Sequence, residues 1–290
     1  MTEVNPVGSG EHHFEPMTVG MILDRAFRLY TENFSLMFGI TAVFNLPLIV
    51  IQAIPTLLIN RRGSPVPLVA VLVSGLISLL TLMVVYPLVT GAITKAVSDK
   101  YLGNPVTTAG ALAEAWGSVG TLVVTQVVAG LIIIGGFMLL IVPGILWALS
   151  YSLIAPVVMV EAADRKTRRV YSLTGEPKTA PVTMDSAEIR RRSWNLVKGN
   201  RGKVFIVVAL FFVMTLLLQS GGNWVTSLVF DAASSLNALV QSVVASFVSI
   251  LISPLQTIAI TLLYYDFRIR KEGFDLEMLS QAIGSPSVQA

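Results

Sequence analysis

Long runs of apolar residues separated by short polar stretches set the layout of this chain. Six runs read as membrane-crossing helices: about Phe34 to Ile59, Val66 to Val97, Val119 to Ile141, Ile145 to Val160, Val204 to Leu218, and Leu236 to Tyr265. An α-helix rises about 1.5 Å per residue, so about 20 apolar residues cover the roughly 30 Å hydrocarbon layer of a bilayer. Pro47 and Pro55 are placed to kink the first run, and the second is long enough to tilt. The third and fourth runs are short and joined by the uncharged sequence Val142-Pro143-Gly144. A deep hairpin therefore stands beside two full crossings, and the flanking charge favours two crossings. Gln219-Ser220-Gly221-Gly222-Asn223 is expected to end the fifth run, leaving Trp224 to Ser235 as an interfacial stretch.

A different pattern precedes three of the runs. From Thr18, Val19, Ile22, Leu23, Ala26, Phe27, Tyr30 and Phe34 recur at spacings of three and four, with Asp24, Arg25, Arg28, Thr31 and Glu32 between them. That is an amphipathic helix, lying along the membrane interface or docked on other protein. Thr107 to Ser118 predicts a second, with Leu112, Ala115, Trp116 and Val119 as its stripe. Asp185 and Glu188 resemble a capping box opening a third, which carries Ile189, Trp194, Leu196 and Val197. Residues 1–16 and 280–290 read as disordered ends, and 165–184 as a flexible basic insert. Phe274, Met278, Leu279, Ala282 and Ile283 would suit one last short amphipathic helix.

The chain echoes itself. At an offset of 167 residues Leu29 meets Leu196, Asn33 meets Asn200, Phe38 meets Phe205 and Phe44 meets Phe211. In the same register Pro87-Leu88-Val89-Thr90-Gly91-Ala92-Ile93-Thr94 meets Pro254-Leu255-Gln256-Thr257-Ile258-Ala259-Ile260-Thr261, and Asp99 meets Asp266. A shorter middle copy places Ala115-Trp116 against Ala26-Phe27, and Tyr151 to Asp164 against Tyr86 to Asp99. The expected fold is therefore an all-α integral membrane protein with six transmembrane helices. These form three parallel repeats of an interfacial helix plus two spans, at about 17–100, 106–164 and 185–267, within a single membrane domain over 17–279. Two spans per copy give every copy the same orientation, unlike the inverted repeats of many transporters.

Composition agrees with lipid as the solvent. Hydrophobic residues make up 54% and charged residues 13%, with a mean hydropathy of +0.74; soluble domains carry about 25% charged residues. There is no cysteine, and the two histidines, His12 and His13, lie in the polar leader. Disulfides, thiolate metal sites and histidine chemistry in the membrane body are thereby excluded. The leader has no apolar core of a signal peptide, so the first span is expected to be the insertion signal. Eighteen of the twenty basic residues fall on the side shared by both termini, and only Arg61 and Arg62 fall on the other. The positive-inside rule then puts both termini in the cytoplasm.

Candidate chemistry is sparse. Asp99, Asp164 and Asp266 end the even-numbered spans and could converge as a salt-bridge ring, form a binding site, or simply solvate helix ends. Arg190, Arg191, Arg192 and Trp194, with Arg268, Arg270 and Lys271, are candidate contacts for anionic lipid head groups or a membrane-protein partner. Each cation near such a surface contributes about 1 kcal/mol, although the same charges also serve as an ordinary topology signal. Nucleic acid is not an expected partner. Asn45, Gln52, Gln126, Gln241 and Gln256 are the polar groups left in the spans, suited to helix-to-helix hydrogen bonds or to lining a path. No catalytic residue, metal ligand or cofactor site is expected.

Tyr264-Tyr265-Asp266-Phe267-Arg268-Ile269-Arg270-Lys271-Glu272-Gly273-Phe274-Asp275-Leu276 resembles the closing motif of the glycerophosphoryl diester phosphodiesterase membrane-domain family. The likeness extends to Arg191-Arg192-Ser193-Trp194-Asn195-Leu196-Val197-Lys198-Gly199-Asn200, and more loosely to Thr18 through Phe34. It implies a bacterial multi-span protein of the cytoplasmic membrane, of a kind found beside a phosphodiesterase domain or standing alone. The insert at about Arg165 to Thr183 departs from that pattern, and the chain offers no room for a catalytic domain. The expected function is a non-catalytic membrane module that acts as a scaffold or organises lipids or a partner. A channel or transporter for a small or lipid-like solute is the alternative, and a membrane-embedded enzyme comes third.

Overall fold

The computed structural model describes residues 17–59, 68–163, 184–231 and 234–272. The leader, Arg61 and Arg62, Asp164, the basic insert up to 183 and the segment after 272 lie outside the described residues. Within them all regular structure is helical, with no strand, and six helices are long and apolar enough to cross a membrane.

Helix α1 (Val19–Glu32) opens on Thr18, whose Oγ1 accepts the Met21 N–H at 3.3 Å. Such a cap satisfies one of the four N–H groups that a helix start leaves without an internal partner. After Asn33 the chain enters α2 (Phe34–Ile59), the first span, with the boundaries the apolar run predicts. The second span is α3 (Leu68–Leu80), a π-helical turn at Thr81–Val85, and α4 (Tyr86–Tyr101). The widened turn lies just ahead of Pro87, whose ring and missing N–H an undisturbed helix would not accommodate.

Helix α5 (Thr108–Gly117), capped by Thr107, leads into α6 (Val119–Leu139). Its buried residues are Ala111 and Ala115. Trp116, expected in the packed stripe, instead points outward and is 62% exposed, because a ring that size does not fit where the alanines approach their neighbours.

The hinge after α6 is at Leu140, in extended backbone, and Pro143-Gly144 lies inside α7 (Ile141–Ser150) rather than forming the turn. Proline is tolerated in a first helical turn, where its missing N–H has no partner to lose. Gly144 serves close packing: a Cβ there would stand 2.5 Å from the Phe137 ring, and one on Gly136 would stand 2.6 Å from Trp147. The fourth span continues through α8 (Ile154–Pro156) and a π-helical turn at Val157–Ala162.

Asp185 caps α9 (Ser186–Val197), accepting the Glu188 N–H at 2.6 Å. Helix α10 (Arg201–Val229) runs unbroken through Gly221-Gly222, where the sequence predicts an end. The glycine is a crossing point: a Cβ on Gly222 would lie 2.5 Å from Val244 on α11 (Ser235–Glu272). In an apolar medium, broken backbone hydrogen bonds cost more than glycine's low helix propensity, so the helix persists.

Helix α11 likewise continues past Tyr265, and the charged sequence expected as a tail is its last two turns. It packs on α10, α2, α1 and α4, and every residue from Thr257 to Phe267 is buried. By contrast, α3 shows lipid-sized apolar side chains outward, Leu68, Leu72 and Leu76 among them.

Candidate functional site

One end of the bundle gathers the charged groups. Asp266, wholly buried on α11, accepts the Met17 N–H at 2.7 Å, Lys203 Nζ at 3.0 Å, and Arg270 Nε at 3.0 Å. Lys203 and Arg270 also donate to the Met17 carbonyl, at 2.8 and 3.1 Å. One carboxylate thus ties the residue before α1, the first turn of α10 and the last turns of α11 into one knot. Arg270 reaches it because residues four apart share a helix face, and its bond and that of Lys203 to the carboxylate are strengthened by charge on both partners.

A second group surrounds Arg192 of α9. Its Nε donates to both Glu161 oxygens, at 2.8 and 3.1 Å, and its Nη1 pairs with Glu272. Arg268 donates to Glu272 at 3.2 Å and to the Tyr264 hydroxyl at 3.3 Å, and that hydroxyl donates to Glu161 at 3.0 Å. The ring closes on itself: Glu161, Arg192, Glu272, Arg268, Tyr264. Burial disfavours the charge on Arg192, but Glu272 and Glu161 outweigh it and hold the guanidinium's pKa above its ordinary value. Lys271 donates to the carbonyls of Asn195 and Lys198, at 2.5 and 2.6 Å, capping the C-terminal end of α9.

The remaining candidates are placed apart. Asp99 pairs with Lys95 at 3.1 Å, and Lys95 with Glu114 at 2.9 Å, so Asp99 and Asp266 take separate partners rather than one shared ring. Arg190 donates to Ser186 at 3.1 Å, and Arg191 is exposed. Trp194 lies under the Arg201 guanidinium, 4.6 Å from its ring centre. Of the basic candidates, Arg192, Arg268, Arg270 and Lys271 therefore spend their donors inside the molecule.

Met17, Glu161, Lys203, Tyr264 and Glu272 belong to this end and were not singled out by sequence. Two signals for them exist. Tyr264, Arg268 and Glu272 stand four apart, as do Asp266 and Arg270, which marks a continuing helix. Glu161 is the first charged residue after the fourth apolar run, and its partner had to come from elsewhere.

Deeper in the bundle is a cavity of about 330 Å³ between α4, α6, the fourth span and α11. Its polar lining includes Thr90, Gln126, Tyr151, Gln256 and Thr257, and it has no Asp, Glu, Lys or Arg. A second cavity of about 230 Å³ shares Tyr86, Thr90, Ser253, Gln256 and Thr257 with it. Beside them the Thr261 and Thr94 hydroxyls approach to 3.5 Å, a contact between residues 167 positions apart. Among the described residues no group of three or more His, Cys, Asp or Glu is placed to hold a metal ion.

Comparison of the chain with family models, curated proteins and solved structures gives no match to any of them.

Proposed function

We propose that the chain is a non-catalytic multi-span module of the bacterial cytoplasmic membrane, a scaffold that organises lipids or a membrane-protein partner. Both termini lie in the cytoplasm. Its plan is three parallel copies of a surface helix followed by two spans. The observation that carries the reading is the fate of the carboxylates at the charged end. Asp99, Glu114, Glu161, Asp266 and Glu272 each meet a cation of the same chain, which suits a rigid frame better than a general acid or base.

Three further features support the repeat. The helix caps Thr18 and Asp185 are 167 positions apart, as are Thr94 and Thr261, which meet across the bundle. Pro87 and Pro254 share that offset. The motif that resembles the glycerophosphoryl diester phosphodiesterase membrane-domain family also gains a physical reason. Tyr264, Asp266, Arg270, Lys271 and Glu272 are the residues that lace α11 to the fourth span, α9, α10 and the start of α1, and Arg268 braces Tyr264 and Glu272. The side chains left to face anionic head groups are those on the outer surface, Arg191 and Lys198 among them.

The test has two parts. A C-terminal reporter active only in the cytoplasm should give signal, and its extracytoplasmic counterpart should not; the reverse would overturn the topology. Extraction with native lipid, followed by mass analysis, should return retained lipid or a co-purifying membrane protein. Bare protein from both extraction and pull-down would remove the organising role.

A further inference from the structure

The ion pairs leave out a set of polar groups in the apolar body of the bundle. Gln126 of α6 and Gln256 of α11 both line the larger cavity, and neither carboxamide hydrogen-bonds to another described residue. An amide without a partner is strongly disfavoured in a hydrocarbon medium, so such groups are kept where something polar meets them. Thr90 donates to the Tyr86 carbonyl at 2.9 Å, and Thr257 to the Ser253 carbonyl at 2.9 Å. Their hydroxyl oxygens keep lone pairs for an incoming donor. Thr90 precedes Asp99 by nine residues on α4. That is about 13 Å along a helix, which puts the cavity near the middle of a hydrocarbon layer about 30 Å thick.

We propose that this cavity binds the glycerol-ester region of an uncharged lipid of the diacylglycerol class; the proposal rests on the membrane reading above. Three properties select that chemistry. The lining carries no charged side chain, so a phosphate or ammonium head group would be desolvated without a counter-charge. The carboxamide N–H groups of Gln126 and Gln256 suit ester carbonyls, and the threonine oxygens suit a single free hydroxyl. Ala129, Ile133, Ile154 and Ile260 supply the apolar part of the wall, and Tyr151, Ser152 and Ser253 add further uncharged hydroxyls. At about 330 Å³ the cavity stands at the small end of ligand sites, which run from about 300 to 1,000 Å³. It holds the polar part of such a lipid and leaves the acyl chains to the bilayer.

Tyr86, which lines both cavities, is 53% exposed. Towards the charged end, Thr94, Ala96, Val97, Leu262 and Leu263 are wholly buried and close the way.

The experiment uses the full chain in nanodiscs of phosphatidylethanolamine and phosphatidylglycerol, doped with a photoactivatable diacylglycerol or, separately, a photoactivatable phosphatidylglycerol. The expected result is diacylglycerol labelling on peptides from α4, α6 or α11, displaced by unlabelled diacylglycerol. Replacing both amides (Gln126→Leu with Gln256→Leu) should lower that labelling about tenfold, the scale of lost hydrogen bonds. Gly130→Leu serves as a second variant. Gly130 lines the cavity and a Cβ there meets nothing within 4 Å, so a leucine at this position is expected to take up cavity space and abolish labelling. Equal labelling by both probes means annular lipid, and no cavity labelling means a water-filled site; either overturns the proposal. Preference for phosphatidylglycerol overturns it as well. A chain that does not enter nanodiscs fails the membrane reading, and the proposal with it.

Discussion

Removing the Asp266 carboxylate should loosen three elements at once. In Asp266→Ala the Met17 N–H loses its acceptor, and Lys203 and Arg270 lose their anion. Breaking a fully buried pair from one side costs about 3–5 kcal/mol. Here the side chains of Lys203 and Arg270 are 23% and 33% exposed, so both can turn partly to water or head groups. They also keep the Met17 carbonyl as an acceptor. The expected loss is therefore about 2–4 kcal/mol. Asp266→Asn retains an acceptor for Met17 but no charge, and should lose about 1–2 kcal/mol. Stability is read from the loss of helical circular dichroism as SDS is titrated into the purified protein. Hydrogen exchange of the peptide spanning Met17 and the first turn of α1 supplies the local readout. That peptide should exchange faster in both variants, and more so in the alanine. An alanine variant that unfolds at the wild-type SDS fraction, with α1 as protected as before, would refute the knot: Ile22 and Ala26 would then be holding α1 without it.

Two further perturbations separate packing from charge. Gly136→Ala drives a Cβ to 2.6 Å from Trp147 and should cost about 1–3 kcal/mol in the same titration. Gly135→Ala meets nothing within 4 Å and should be neutral or stabilising by up to about 1 kcal/mol. A double-mutant cycle on Glu161→Gln and Arg192→Met should return a coupling of about 1–3 kcal/mol; additivity would mean the two do not act as a pair.

Legibility divides along the same line. The apolar runs placed the spans well, because a lipid solvent forces long uncharged helices; α2 and the start of α6 fall where the sequence puts them. The short helices were also legible, since Thr18, Thr107 and Asp185 are good caps ahead of amphipathic turns. Glycine and proline misled. In soluble chains Pro143-Gly144 and Gly221-Gly222 would mark turns. Here Gly144 and Gly222 are contact points at which Phe137 and Val244 sit against bare backbone. The charged end was half legible. Asp99 and Asp266 stood out, but Arg268 and Arg270 read as outward groups because the four-residue spacing that marks a continuing helix does not say which way that helix turns them. Glu161 and Lys203 find their partners across 31 and 63 residues, and no local spacing encodes such pairings.

The two ends of the bundle interior bear on the transport alternative. An aqueous path needs continuous polar surface, yet the layer between the cavity and the ion pairs is Ala96, Val97, Leu262 and Leu263, wholly buried, with Thr94 and Thr261 turned toward each other. Such packing is close to crystalline and does not admit a solute without separating the helices. The Asp266 knot and the Arg192 ring, which hold α9, α10 and α11 together just beyond it, oppose that separation. Reconstituted vesicles should therefore show no protein-dependent flux of ions or of small hydrophilic solutes such as glycerol, followed by light scattering and by ion-sensitive dyes. Flux that rises with the protein-to-lipid ratio would show that the layer opens and would restore the channel reading. Flux that appears only in Asp266→Ala would instead identify the charged knot as the lock on a path that the native packing keeps closed.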